Sequence, residues 1–546
     1  MDKIDTSSIP ATTIIERNNS QSSTDSLITP PIENPYLKPS IELNGRVSYL
    51  QDFEDLPQGR HLGLFSTIIL FVSRILGSGI FSITSGIYKD CGQSIYLFFL
   101  AWFIACVASF GGLYVFLEMG SVVPRSGGAK VFLEFIYDKP KLLATVAFSV
   151  YSVIFGFTIS NVLVFGEYCI HALGLEITDF KTRFTGLLFL YFTAIVHGFS
   201  VNHGVKIQNI LGGLKLVLVV IMILSGLYVF LPKSINQIDS QISWNDVFKT
   251  RKQVSISTFS SAVIKASFAF SGWNSVHTVS NEIKDPIRTF KIAGPVSLII
   301  MTITYFIINL AYLIVIPDEE LANSSTLAGS ILFEKLFGKV LGQQLLTLSI
   351  ALCAGGNIFV VLYTISRVDQ EVFREGYLPF SKFMASNWPF GGPLRSIILS
   401  CSITTFIIVV FPHGDIYSYM VSLEGFPMSV ATGLVAIGIF IIRKNYPDLN
   451  APIKAGLIGT LSVIIINIYL TIGPFVSKYS PNPTGLENWP NYGLVGLFCI
   501  LFCILFWYFK FRLLPWLGNY DLVVEEEKLS DGLTIKNWVK VYKGGI

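Results

Sequence analysis

The chain has 546 residues, of which 52% are hydrophobic and only 14% charged, with a formal net charge of +3. Apolar runs of about 20 residues recur along it, which is the composition of a polytopic membrane protein, and the near-neutral charge gives no ground for a nucleic-acid partner. The seven cysteines (Cys91, Cys106, Cys169, Cys353, Cys401, Cys499 and Cys503) lie mostly singly inside apolar runs. They read as small buried hydrophobes; a Cys91–Cys169 disulfide would need both thiols on the outer side, and Cys499 and Cys503 are too few for a zinc site.

Residues 1–55 are polar and rich in Ser, Thr, Pro and Asn, without the apolar core of a signal peptide. This stretch is expected to be a disordered tail. Twelve candidate spans follow, numbered here as segments 1 to 12: 62–88, 94–120, 142–170, 183–202, 205–232, 256–280, 292–316, 342–368, 395–412, 416–442, 454–477 and 490–514. Segments 4 and 5 are separated by an expected turn at Asn202-His203-Gly204. An even number of crossings places both termini on one side, and the lysine and arginine bias of the loops makes that side cytosolic. Asn323, in an Asn-x-Ser sequon, then falls in an outer loop open to glycosylation. Residues 516–546 are expected to be a cytosolic C-terminal tail.

Segment 1 is interrupted by Gly77-Ser78-Gly79, and segment 6 by Ser271-Gly272 between Phe270 and Trp273. An interior glycine costs a helix about 1 kcal/mol, and in lipid each unpaired backbone group costs several kcal/mol more. Such breaks persist where the freed groups line a cavity, and a matching pair in two halves points to the substrate site of a secondary transporter. Because the breaks are five segments apart, the second half enters the membrane inverted. This predicts a 5+5 inverted repeat over about 62–232 and 256–442, with two extra spans over about 454–514.

Several strings are specific. Gly77-Ser78-Gly79-Ile80-Phe81, Phe270-Ser271-Gly272-Trp273, Pro124-Arg125-Ser126-Gly127-Gly128 and Glu282-Ile283-Lys284-Asp285-Pro286 resemble, in order, signatures of the amino acid–polyamine–organocation transporters. Ser73-Arg74-Ile75-Leu76, the run Gln208 to Lys215, Lys291-Ile292-Ala293-Gly294-Pro295, Ser366 to Glu371 and Glu375 to Phe380 are similar to the fungal methionine permease branch of the L-type group. The resemblance covers about residues 56–545. It implies an all-α protein of the LeuT type and proton-driven import of an amino acid, methionine for this branch, across the plasma membrane. No cofactor is implied beyond the proton gradient. A broader neutral amino acid permease of leucine or cysteine type, and a non-transporting sensor of the same fold, are the alternatives; a tail of about 55 residues is short for the sensor.

A free amino acid carries a carboxylate and an ammonium close together. Amides around Ser78, Gly79 and Ile80 would open the second half of segment 1 toward the carboxylate. Carbonyls from Arg74 to Gly77 and at Phe270-Ser271 would take the ammonium, and Gly272 permits close approach. Phe270 and Trp273 would wall an apolar side-chain pocket, where a thioether packs well on aromatic rings.

Intramembrane charges are expected to be functional. Lys215 lies about ten residues into segment 5, roughly 15 Å deep; the resemblance implies that its ammonium ties segment 5 to segments 1 and 8, where it would couple protons to gating. Glu118 at the end of segment 2 is a coupling or gating candidate, or the partner of a loop arginine or lysine. Arg74 would close an inner gate. Asn357 would line or cap the site, and Glu424 is a second-tier proton carrier. Lys265 is expected to face an outer vestibule or to snorkel, and His277 to be structural. The six histidines form no paired-ligand pattern and there is no P-loop, so neither a metalloenzyme nor ATP drive is expected; charged rings of a channel are also lacking. Lys3 and Lys38, among many Ser and Thr, are expected targets for modification by ubiquitin-ligase and endocytic adaptors.

Overall fold

The computed structural model describes residues 63–77, 79–123, 128–137, 139–232, 240–242, 246–273, 283, 285–324, 326–411, 416–447, 451–476, 489–529 and 534–543. The N-terminal tail with Lys3 and Lys38, Ser78, residues 124–127, His277, Glu282 and Lys284 lie outside them.

A helix stands in each of the twelve predicted segments, and among the described residues nine helical stretches are long and apolar enough to cross a membrane. The remaining three predicted segments have visible reasons for falling short. The helix of segment 4, Asp179–Phe199, opens with Asp179, Lys181 and Arg183. Those of segments 6 and 9, Ile256–Ala269 and Leu394–Val410, have 14 and 17 residues. The surface carries large apolar side chains such as Phe184, Leu188, Ile195, Val217, Leu224 and Phe498, all more than half exposed. Such a surface suits lipid, where each helix satisfies its own backbone: this is a multi-pass membrane protein.

Segment 1 divides into Leu64–Ile75 and a second half from Gly79 to Asp90. Ile83 N donates to Gly79 O at 2.8 Å and Ile87 N to Ile83 O at 3.0 Å, so the second half runs on as one helical stretch past Tyr88, where the sequence reading ended it. Segment 6 holds as helix to Ala269 and turns at Ser271 and Gly272. The first half of segment 1 lies on segment 7 (Pro286–Val315), and segment 6 on segments 2 (Ile95–Val122) and 11 (Leu457–Val476). Segment 8 (Thr347–Arg374) packs on segments 3 and 5.

Four local expectations are corrected. The turn between segments 4 and 5 falls at Ser200, in extended conformation, and residues 202–204 already belong to the helix Val201–Val229; Ser200 Oγ meets His203 Nδ1 at 2.7 Å. Segment 3 is itself broken, into Leu143–Ile154 and Ile159–Ala172. Lys265 neither faces a vestibule nor snorkels, being 1% exposed and paired with Asp90 at 2.8 Å. The C-terminal residues form an antiparallel hairpin, Tyr520–Lys528 with Thr534–Tyr542, so the chain is mostly helical rather than all-α. This hairpin is bound to the turn after segment 8: Trp538 Nε1 donates to Glu375 O at 3.0 Å, Lys536 pairs with Glu375 at 2.9 Å, and Ile535 is buried beside Phe373 and Ala385.

Candidate functional site

The two breaks touch. Gly272 has φ +113°, and a β carbon on it would stand 2.6 Å from the carbonyl oxygen of Arg74 and 3.1 Å from the amide nitrogen of Ile75. Only glycine fits, on both conformational and steric grounds. Gly79, which opens the second half of segment 1, lies so close to segment 6 that a β carbon would stand 3.0 Å from Ala269 Cα. Gly77 faces segment 8, with Asn357 Nδ2 at 2.9 Å from the equivalent point.

Aromatic side chains fix these ends. Phe270 is fully buried against Trp102 and Tyr305, with ring centroids 5.9 and 5.1 Å away. Trp273 lies over Gly112 and meets Phe116 edge-on at 5.1 Å. Tyr305 of segment 7 stands between the two broken helices: its hydroxyl is 3.1 Å from Ile75 O and 3.0 Å from Ala269 O, the carbonyls that end each first half. Those carbonyls would otherwise be unpaired helix C-termini. Ile80 is buried, and its carbonyl accepts from Thr84 Oγ1 at 3.1 Å.

Lys215 is 2% exposed in the middle of segment 5. Its ammonium donates to Ser73 O at 3.4 Å, in segment 1, and to Asn357 Oδ1, in segment 8. Asn357 Nδ2 in turn donates to Asn161 Oδ1 of segment 3 at 3.3 Å. One buried cation therefore bridges three segments at the first break, and a neutral amide rather than a carboxylate faces it.

The structure brings Arg74, Gly77, Gly79, Ile80, Lys215, Phe270, Ser271, Gly272, Trp273 and Asn357 into one neighbourhood. Ser78 lies outside the described residues. Glu118 is elsewhere: both its oxygens are held by Arg443, at 2.9 and 2.6 Å, and Ala455 N donates to it at 2.7 Å. Arg443 belongs to the end of the segment 10 helix and not to a loop. Glu424 is also apart, with an Oε1 that is buried without a hydrogen-bond partner; the adjacent Gly425 packs on Ile264 of segment 6. All seven cysteines are free, and the described residues contain no group of metal-ligating side chains. Sequence reasoning missed Tyr305, Asn161 and Asp90. The first two are single polar residues inside apolar runs, and Asp90 falls two residues beyond the predicted end of segment 1.

A broken segment 1 whose break touches the turn that ends the segment 6 helix, in a multi-pass membrane protein, fits a transporter of the broken-helix class. The chain belongs to the amino acid permease family, whose model, described as Amino acid permease, matches residues 62–510. It is similar to the low-affinity methionine permease of Saccharomyces cerevisiae, at 44% identity over 89% of each chain. It is also similar to the high-affinity methionine permease of that yeast, at 30% identity over 89% of this chain and 86% of the other. The human Asc-type amino acid transporter 1 is 25% identical over 77% of this chain and 78% of its own length. The protein is a transporter and not an enzyme.

Proposed function

We propose that the protein imports L-methionine across the plasma membrane by proton symport and alternating access, with both termini cytosolic. The observation that carries this reading is the contact of Gly272 with the Arg74 carbonyl, which joins the two broken ends. Methionine is the substrate named for both yeast relatives. The proposed architecture is twelve spans of the LeuT type, with inverted repeats over about 62–232 and 256–442.

In this reading the amides at Ser78, Gly79 and Ile80 take the substrate carboxylate. Carbonyls from Arg74 to Gly77 and at Phe270-Ser271 take the ammonium, with the Tyr305 hydroxyl yielding its hold on Ile75 O or Ala269 O. Phe270 and Trp273 wall the thioether. Lys215 couples protons to gating because its ammonium bridges segments 1, 5 and 8, so that loss of its proton would loosen all three. Arg74 serves an inner gate, Asn357 positions Lys215, and Glu118 and Glu424 are lesser coupling candidates. Adaptors of ubiquitin ligases act on the tails. A broader neutral amino acid range is the second reading, favoured by the similarity to the large neutral amino acids transporter small subunit 2 of Mus musculus, 24% identical over 76% of each chain.

The test is uptake of labelled methionine at pH 5 and pH 7 in transporter-null cells expressing the chain or its Lys215→Ala form. Saturable uptake, stronger at pH 5 and insensitive to pH in the variant, is expected. Equal uptake at both pH values in the wild type defeats proton coupling while keeping the permease. Strong competition by leucine or cysteine selects the broader range, and no uptake of any amino acid by surface-expressed protein selects a sensor.

A further inference from the structure

The break in segment 3 faces a buried carboxylate. Asp369, near the end of the segment 8 helix, is 0% exposed. Its Oδ2 accepts from Ser400 Oγ at 3.3 Å, and its Oδ1 has no hydrogen-bond partner. Gly156 lies opposite, between Leu143–Ile154 and Ile159–Ala172. The position a β carbon would take on Gly156 is 3.1 Å from each of three oxygens: Asp369 Oδ2, Ser152 O and Val153 O. Gly156 N bonds Val153 O at 3.2 Å, a tighter turn than the helical bond to Ser152 O. The β-carbon position on Gly156 is therefore flanked by a carboxylate oxygen and by helix-end carbonyl oxygens, all of them acceptors.

The cations nearby are directed elsewhere. On the same helix, Arg367 bonds Tyr363 and Gln370, and Arg374 pairs with Glu371 at 2.7 Å. On segment 9, Arg395 donates to Phe383 O, and Cys401 is a buried free thiol. Tyr151 of segment 3 packs on Phe148 and Phe155, and Lys382 of the helix Ser381–Ala385 pairs with Glu527. A buried carboxylate with a single hydroxyl donor is costly unless a cation joins it.

We propose that Asp369, Ser400 and the carbonyl of Ser152 form a cation site at the break of segment 3, taking a monovalent cation, either an alkali ion or a proton. The all-oxygen set suits a hard cation, and its single negative charge argues against a divalent one. A polar track joins the site to the substrate region. Asn357 bonds Asn161, Asn161 Nδ2 donates to Thr158 Oγ1 at 3.4 Å, Thr158 N donates to Thr404 Oγ1 at 3.4 Å, and Thr404 lies one turn from Ser400. Asn357 itself holds Lys215. A cation at Asp369 is thereby connected to the break of segment 1 across about 18 Å of segment 8. The track's role in coupling rests on the proposed role of Lys215; the site does not.

The test uses the purified full-length protein in detergent, with melting temperature followed as sodium, potassium or N-methylglucamine chloride is titrated at constant ionic strength, and separately as pH is lowered. Wild type should be stabilised saturably by an alkali ion, or by acid alone if the ligand is a proton, and Asp369→Asn should not respond. Ser400→Ala, which keeps the carboxylate, should raise the half-saturating concentration of an alkali ion about fivefold or more, and should lower that of a proton, because the lost hydroxyl donor favoured the charged carboxylate. Lys215→Ala, whose ammonium lies outside the site, should keep the alkali-ion response of wild type whatever its uptake shows about coupling. Superimposable titrations of wild type and Asp369→Asn overturn the site. Should Asp369→Asn not fold, superimposable titrations of wild type and Ser400→Ala do so.

Discussion

Lys265 and Asp90 form an ion pair 2.8 Å long whose side chains are 1% and 2% exposed. The lysine belongs to the first half of segment 6 and the aspartate to the end of the second half of segment 1. Gly86, one helical turn before Asp90, keeps the space open: a β carbon there would stand 3.4 Å from Lys265 Nζ and 3.3 Å from Ser418 Oγ. The pair therefore joins the second half of segment 1 to the segment 6 helix ahead of its turn.

Removing one partner leaves a buried charge unpaired, at a cost of about 3–5 kcal/mol. Lys265→Ala or Asp90→Asn should lower the melting temperature and the surface level of the protein. Replacing both, as Lys265→Met with Asp90→Leu, should recover most of the stability, because well-packed apolar groups often substitute for a buried pair. Melting of the detergent-solubilised variants checks this, and a double variant no better than the singles would contradict it.

Gly272→Ala combines a strained φ of +113° with a β carbon 2.6 Å from the Arg74 carbonyl oxygen. The conformational cost is about 1–3 kcal/mol, and the overlap would push the two breaks apart. Uptake should fall at least about tenfold, since 1.4 kcal/mol already corresponds to that factor. Gly213→Ala, where no atom of a neighbouring helix lies within 4 Å of the added carbon, should transport normally. Initial rates normalised to surface protein separate the two.

The breaks were legible because glycine inside an apolar run has a fixed physical cost; Gly79 and Gly272 stand where the ends of segments 1 and 6 touch, and Gly77 stands against Asn357 of segment 8. The helical segments were legible for the same reason, as length and apolarity set them. What escaped was pairing in space. Lys265 and Asp90 are 175 residues apart, and nothing in the neighbourhood of either sequence position indicates a partner. Glu118 and Arg443 were likewise recognisable as costly charges but not as each other's solution. The break of segment 3 at Gly156 was missed because one glycine between Phe155 and Phe157 leaves the run apolar. The hairpin was missed because Tyr520–Lys528 carries a run of acidic residues that masks a strand pattern, although Thr534–Tyr542 is rich in β-branched and aromatic residues and Asp531-Gly532 is a turn signal.

The Glu118–Arg443 pair is bidentate, and the same carboxylate caps Ala455 N while Arg443 Nη2 donates to Ala455 O at 2.8 Å. This geometry belongs to arginine's planar fork and is not reproduced by lysine. Arg443→Lys should therefore cost about 1–3 kcal/mol of stability while leaving the ratio of uptake at pH 5 to that at pH 7 unchanged in the protein that folds. A changed ratio would instead place Glu118 in coupling.

The hairpin is held by Trp538, Lys536 and Ile535 against the turn that follows segment 8, where Gly376 has φ +74° and stands against the backbone of Lys536. Ile535 is 1% exposed, so Ile535→Ala should remove about 2–5 kcal/mol of local packing. The exposed pair of Lys536 with Glu375 contributes far less, about 0–1 kcal/mol. Limited proteolysis should accordingly cut the C-terminal region much faster in Ile535→Ala than in Lys536→Ala. Equal protection in both would mean that the apolar contact does not hold the hairpin.

Tyr305 offers the most direct probe of the breaks themselves. One hydroxyl lies within 3.1 Å of both Ile75 O and Ala269 O, yet it carries one proton and can satisfy one carbonyl at a time. Its ring is fixed independently, against Trp102 at 5.8 Å and Phe270 at 5.1 Å, so Tyr305→Phe removes the donor while the wall stays in place. A lost hydrogen bond to buried carbonyls costs about 1–3 kcal/mol unless another donor takes its place. If the ammonium of the substrate is that donor, the penalty falls on the empty transporter more than on the loaded one. Tyr305→Phe should then lose thermal stability without substrate and regain a larger part of it with saturating methionine than wild type does. If the hydroxyl is purely structural, the loss will be the same with and without substrate, and the carbonyls that end the two half-helices will have no part in binding.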